Sequence, residues 1–116
     1  MTPPIFPIAA LAVALAAGPA AAQGAPAGDP VKGSQKVQMC QGCHGIVGWR
    51  TAYPEVYKVP KIAGQHPAYI IAALKEYKSG SRSHPSMKAI AASLSDADMA
   101  DIAAYYNQAP LQTAEK

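Results

Sequence analysis

The sequence predicts an all-α fold, and three observations carry that expectation. Apolar side chains recur at helical spacing over residues 70–77 and 99–106, and a helix-start signal stands before each run, His66-Pro67 before the first and the Ser95/Asp98 capping box before the second. No segment alternates with the period of two that a half-buried strand needs, and no internal repeat occurs.

Residues 1–22, "MTPPIFPIAALAVALAAGPAAA", hold no charged side chain and carry an apolar run, Ile8 to Ala17, that closes on Ala20, Ala21 and Ala22. This layout predicts a secretory signal cleaved between Ala22 and Gln23, although the usual Lys or Arg near the start is absent. The apolar run is about half of the roughly 20 residues a spanning helix needs, and prolines bracket it, so no membrane span is expected once the signal is gone. The expected location is the periplasm.

Removing residues 1–22 from the 116 leaves 94, enough for one small domain. Residues 23–28 read as a flexible Pro/Gly/Ala lead-in and 29–116 as the domain itself. Asp29 and Pro30 read as the N-cap and first-turn proline of a helix running to the cysteines. Residues 45–66 contain five glycines and prolines and read as irregular loop. His66-Pro67 starts a helix with Ile70, Ile71, Leu74 and Tyr77 on one face, and Gly80 ends it. "SRSHPSM" reads as a loop leading into a helical turn over Lys88 to Ala92. Ser95 and Asp98 form a capping box before the last helix, on which Met99, Ile102, Ala103 and Tyr106 share a face and which Pro110 stops.

The core that these residues offer is thin. The one Phe, Phe6, departs with the signal, leaving Trp49 and six tyrosines as aromatics, so a domain of this size needs a staple. Formal charge is +3, unevenly spread: residues 30–95 hold nine Lys or Arg against Glu55 and Glu76, whereas 96–115 hold four acids and no base. An exported chain of such small net charge has no basic stripe for nucleic acid, which is excluded as a partner.

The staple is sought in "MCQGCHG", residues 39–45, which contains both cysteines of the chain. A disulfide across C-x-x-C closes too small a loop to constrain the unfolded chain. A thioredoxin-like dithiol would need a strand leading in, and a zinc site about four converging ligands, whereas only the isolated His66 and His84 remain. Cysteines at i and i+3 with histidine at i+4 share one helical face. C-x-x-C-H is the attachment signal of c-type haem, in which Cys40 and Cys43 bond the porphyrin and His44 reaches its iron. A second axial ligand is then required. Met39 adjoins the proximal cysteine and Met99 sits on the apolar face of the last helix, which leaves Met87. "SHPSM" also offers His84, but Pro85 biases His84 toward extended backbone and away from the metal.

With these residues in place the chain resembles a class I c-type cytochrome, and within that group the small monohaem cytochromes c-553 and single halves of cytochrome c4. The matching stretches are "CQGCHG" (40–45), "PKIAGQ" (60–65), "YIIAALKEYKSGSR" (69–82), "PSM" (85–87) and "LSDADMADIAAYY" (94–106). The single C-x-x-C-H departs from an intact dihaem cytochrome c4, and "WRTAYPEVYKV" is longer than expected of one half. The resemblance implies helices packed around one covalently bound haem c, with the Pro60 carbonyl accepting from the Nδ1–H of His44. It implies a helix crossing at Gly33 and Tyr105, and Gln65 and Arg82 at the haem edge. Trp49 and Tyr53 are placed in the pocket lining or the core.

The function so implied is single-electron transfer between periplasmic or membrane redox enzymes of a respiratory chain, without catalysis. Partners are a redox-protein donor and acceptor, such as a dehydrogenase or oxidase, and the carrier is a monomer. Lys58, Lys61, Lys78, Arg82 and Lys88 are expected to surround the haem edge. Two alternatives stand beside this one: a haem subunit within a larger dehydrogenase, such as a flavin-dependent sulfide dehydrogenase, and a haem-based ligand sensor.

Overall fold

A computed structural model describes residues 27–53 and 56–110. The signal at 1–22, its cleavage point and all but the last two residues of the lead-in lie outside the described residues. Five helices follow in order: α1 Pro30–Lys36, α2 Gln38–His44, α3 Pro67–Ser79, α4 Pro85–Ala92 and α5 Asp96–Gln108. Among the described residues there is no strand beyond one isolated antiparallel bridge, Arg50 to Lys58, and no helix long and apolar enough to cross a membrane.

The helix starts follow their caps. The Asp29 carboxylate accepts from the N–H groups of Val31 and Lys32, and Pro30 occupies the first turn, where a missing N–H costs nothing. Ser95 and Asp98 make the reciprocal capping box at α5. Gly80 closes α3 at φ 88°, a conformation that favours glycine, and its N–H returns to the carbonyls of Glu76 and Tyr77.

Two boundaries differ from the sequence reading. The first helix is broken at Val37, whose ψ of 2° tightens one turn so that both Cys40 and Gln41 N–H donate to its carbonyl. Val37 is buried, and the tightened turn re-aims the cysteine-bearing segment. The fourth helix begins at Pro85 rather than Lys88, because the His84 ring caps it and Pro85 opens it. Met87 therefore stands on a helical first turn and not in a loop.

The core joins Val37 to Ile70, Ile71 and Leu74 of α3, Ala91 and Leu94 at the end of α4, and Met99, Ala100, Ile102, Ala103 and Tyr106 of α5. Among the described residues only Tyr106 and Met99 are large side chains with essentially no exposure, as the thin composition predicts. Helix α5 packs against both α1 and α3, and α4 lies on α3. At the α1–α5 crossing, Gly33 faces the Asp101 carbonyl and the Tyr105 side chain, the pair that the resemblance singled out.

A polar clamp locks the same crossing. Lys36 Nζ lies 2.6 Å from Asp98 Oδ1 and 2.8 Å from Asp101 Oδ2, while Asp101 Oδ1 accepts from the Asp29 N–H at 2.8 Å. Lys36, as hydrogen-bond donor, holds both carboxyls below the ordinary value of 3.8, aided by Ser95 at Asp98 and by the Asp29 N–H at Asp101. A carboxyl whose pKa falls on folding stabilises the fold above its unfolded value and loses that stabilisation as pH drops toward its folded value. Urea unfolding of the holoprotein should therefore show declining stability as pH falls below about 4. Lys36→Met should lower the neutral-pH midpoint and flatten that acid limb; an acid limb of unchanged steepness in the variant would remove the clamp from the account.

Candidate functional site

Helix α2 presents Cys40, Cys43 and His44, all partly buried, with both thiols unbonded. The i, i+3, i+4 spacing sets them along one side of the helix, and Gly45 follows as the cap. His44 Nδ1 lies 2.7 Å from the Pro60 carbonyl oxygen. A carbonyl only accepts, so Nδ1 carries the hydrogen and Nε2 is left with a lone pair suited to a metal.

Pro60 is itself held by the segment that follows it. Gly64 N–H donates to the Tyr106 carbonyl at 2.7 Å, and Asn107 Nδ2 donates to the Gln65 carbonyl at 3.3 Å, tying residues 60–65 to α5. The histidine's orientation thus depends on the last helix through a loop, which connects the apolar repeat of 99–106 to the chemistry of His44.

Cys43, His44, Pro60, Gln65, Arg82 and Met87 all line one cleft of about 490 Å³. Its walls include Ile62, Ile70 and Leu74 from the loop and α3, Ile90 from α4, and the rings of Tyr57, Tyr69 and Tyr77. An adjoining cavity of about 30 Å³ is lined by Cys40, His44, Met87, Leu94 and Ile102, so the two spaces share His44 and Met87. A cleft in the range of about 300–1,000 Å³ with apolar walls and a few convergent donors suits a cofactor.

The two thiols differ in their surroundings. Burial pushes the Cys40 thiol up, with the Tyr106 hydroxyl acting in the opposite sense. Burial likewise pushes the Tyr106 hydroxyl up; that oxygen has no hydrogen-bond partner of ordinary geometry, and the Cys40 sulfur is what faces it. Among the described residues no three His, Cys, Asp or Glu side chains converge as metal ligands. Zinc therefore lacks its donor set, whereas two thiols, one oriented imidazole and one thioether around an apolar cleft fit a covalently held haem.

His84 also borders the cleft, yet in the opposite tautomer to His44. Its Nδ1 accepts from the Met87 N–H at 3.3 Å, so the ring proton sits on Nε2, the nitrogen that would otherwise be free for a metal. The His84 backbone is extended at φ −166° and ψ 108°, as a residue preceding proline should be.

Other expected positions are sorted by the fold. Trp49 is 42 % exposed and Tyr53 86 %, and neither lines the cleft or joins the core. Trp49 lies beside the isolated bridge of Arg50 to Lys58, where Val59 N–H donates to its carbonyl. Of the five basic residues expected at the rim, Lys58, Lys61 and Arg82 line the cleft. Lys78 is instead tethered through Nζ to the Leu94 carbonyl at the α4–α5 corner. Arg82 stacks over the Tyr77 ring at 5.1 Å and reaches the Tyr69 hydroxyl at 3.5 Å, contacts that pre-set the guanidinium. Tyr57, Tyr69 and Tyr77 were not singled out by sequence as lining the cleft; only the helical spacing of Tyr77 pointed inward.

A Cytochrome c family model matches residues 30–109. The chain is similar to cytochrome c-554(548) of Halomonas halodenitrificans, 39% identical over 84 residues that cover 70% of this chain and 96% of that protein. It is also similar to cytochrome c4 of Pseudomonas aeruginosa, 39% identical over 80 residues covering 69% of this chain and 38% of that one. Cytochrome c4 of Thiocapsa roseopersicina is 38% identical over 84 residues, 72% of this chain and 41% of the relative. The chain thus spans about two fifths of the length of these cytochrome c4 relatives.

Proposed function

The chain belongs to the cytochrome c family, and from that premise we propose that it is an exported single-electron carrier whose iron is held by His44 and Met87. Family membership brings one covalently bound haem c and the role of a monohaem electron carrier. When bound, the haem supplies a one-electron Fe(III)/Fe(II) couple. Cys40 and Cys43 would hold it through their sulfurs, His44 would offer Nε2 to the iron with its Nδ1–H tied to Pro60, and Met87 would offer its thioether. A soft thioether favours the ferrous state and so raises the potential. With His44 and Met87 both committed to the iron, the chain would leave no iron site for a substrate, which supports carriage over catalysis.

The observation that carries this reading is the sharing of one cleft by Cys43 and His44 of α2 and Met87 of α4, with Cys40 in the adjoining cavity. Export is supported by the uncharged, apolar opening segment, and the periplasm is the proposed compartment. Redox-protein partners, donor and acceptor, are proposed to meet the rim formed by Lys58, Lys61 and Arg82, with the protein acting as a monomer. Electron delivery from the ferrous protein to membranes of its source should slow as salt rises, because the Debye length shrinks from about 30 Å at 0.01 M to about 8 Å at physiological strength. The same ferrous protein should take up carbon monoxide only slowly. Rapid uptake would mean an easily vacated iron and a ligand sensor, and a flat salt profile would return the rim to ordinary surface charge.

A further inference from the structure

We infer that His84 is a positioning residue: its imidazole, capping the first turn of α4 and wedged between two tyrosines, holds Met87 in place as the distal ligand. The inference rests on the assignment of Met87 to the iron. His84 Nδ1 accepts the Met87 N–H at 3.3 Å, and the His84 carbonyl accepts the Lys88 N–H at 2.9 Å. One residue therefore fixes the peptide groups of Met87 and its successor. Helix α4 has only eight residues and no acidic side chain in its first turn, so little else secures that turn.

Histidine is an unusual cap, since Ser, Thr, Asp and Asn are the side chains that ordinarily serve there. Its neighbours give a physical reason for a ring at this position. The Tyr57 ring lies 4.8 Å from the His84 ring, tilted by 48°, and the Tyr77 ring stands edge-on at 6.3 Å. Tyr57 precedes the bridge residue Lys58 and Tyr77 belongs to α3, so His84 ties the ligand-bearing turn to two other walls of the cleft. An Asn would cap without touching both rings; a Phe would fill the wedge without capping.

Those two substitutions separate the contributions. In the ferric holoprotein, cyanide replaces the Met87 thioether, and at saturating cyanide the rate reports how often the thioether leaves. Loss of the methionine-to-ferric-iron charge-transfer band follows it. Loss of a cap costs about a fivefold change in an equilibrium, the equivalent of about 1 kcal/mol. His84→Ala and His84→Phe should therefore both accelerate cyanide replacement about fivefold, while His84→Asn stays near the wild-type rate. A merely structural role would lower the unfolding midpoint without sorting the rates by capping ability. Wild-type rates in both His84→Ala and His84→Phe, or a fast His84→Asn beside a slow His84→Phe, would overturn the inference. A wild-type protein with no charge-transfer band would instead overturn the assignment of Met87 on which it rests.

Discussion

Replacing Met87 by alanine is expected to abolish the methionine-to-ferric-iron charge-transfer band and to lower the reduction potential by on the order of 0.2 V, a fraction of the roughly 0.8 V that axial ligands span in haem proteins. Among the described residues the thioether is the only soft donor presented at the cleft beyond α2, because Met99 is fully buried in the core and Met39 stands beside Cys40. Without it the distal position passes to water or to a harder side chain, and both favour the ferric state. His84 is the nearest competitor by sequence, but its Nδ1 is occupied by the Met87 N–H and its Nε2 bears the proton. His84→Ala should accordingly keep the band, with only its lability changed. A wild-type protein without the band, whose spectrum and potential are unchanged by Met87→Ala but altered by His84→Ala, would reverse the assignment and make this a low-potential, bis-histidine carrier.

What the sequence disclosed and what it withheld divide along the range of the interactions involved. C-x-x-C-H is local, and its meaning depends on three side chains within one helical turn, so spacing alone presented it. The caps at Asp29 and Ser95 and the proline at Pro67 are also local, and those helices begin where they were expected. The start of α4 was missed because histidine is a rare cap, and its role there depends on Tyr57, 27 positions earlier in the chain. The break at Val37 leaves every hydrogen-bond partner nearby and is visible only as a changed ψ, for which valine carries no signal.

Charge was the least legible feature. The acids of 96–115 carried no sign in the sequence of any partner, yet Asp98 and Asp101 are spent on Lys36, more than 60 residues away in sequence. Lys78 read as part of a basic rim and is committed to a backbone carbonyl instead. Lysine's long stem lets the same residue serve a distant carboxylate, a helix end or open solvent, and composition does not distinguish these uses. The aromatic residues Trp49 and Tyr53 fail in the same way: burial depends on which side of a loop faces the cleft, and glycine- and proline-rich loops have no period from which to read it.

The α1–α5 crossing gives a second large effect, because there a better helix former should make a worse protein. Alanine is favoured over glycine inside a helix by about 1 kcal/mol, so Gly33→Ala taken alone would stabilise α1. A Cβ at residue 33, however, would stand 2.1 Å from the Asp101 carbonyl oxygen and 2.8 Å from Tyr105 Cβ. The oxygen belongs to the backbone of a packed helix and cannot rotate aside, so relief requires α1 and α5 to move apart by about 1 Å, an overpacking cost of about 3 kcal/mol. That movement would also stretch the contacts of Asp101 with Lys36 and with the Asp29 N–H. A net loss of about 2 kcal/mol is expected, which for a domain of this size lowers the unfolding temperature by about 10 °C. Calorimetry of the holoprotein should show that fall with little change in the charge-transfer band, since Cys40, Cys43, His44 and Met87 stand on α2 and α4 rather than on α1 or α5. An unfolding temperature that rises instead would show that helix propensity wins at this position and that the crossing is looser than its contacts imply.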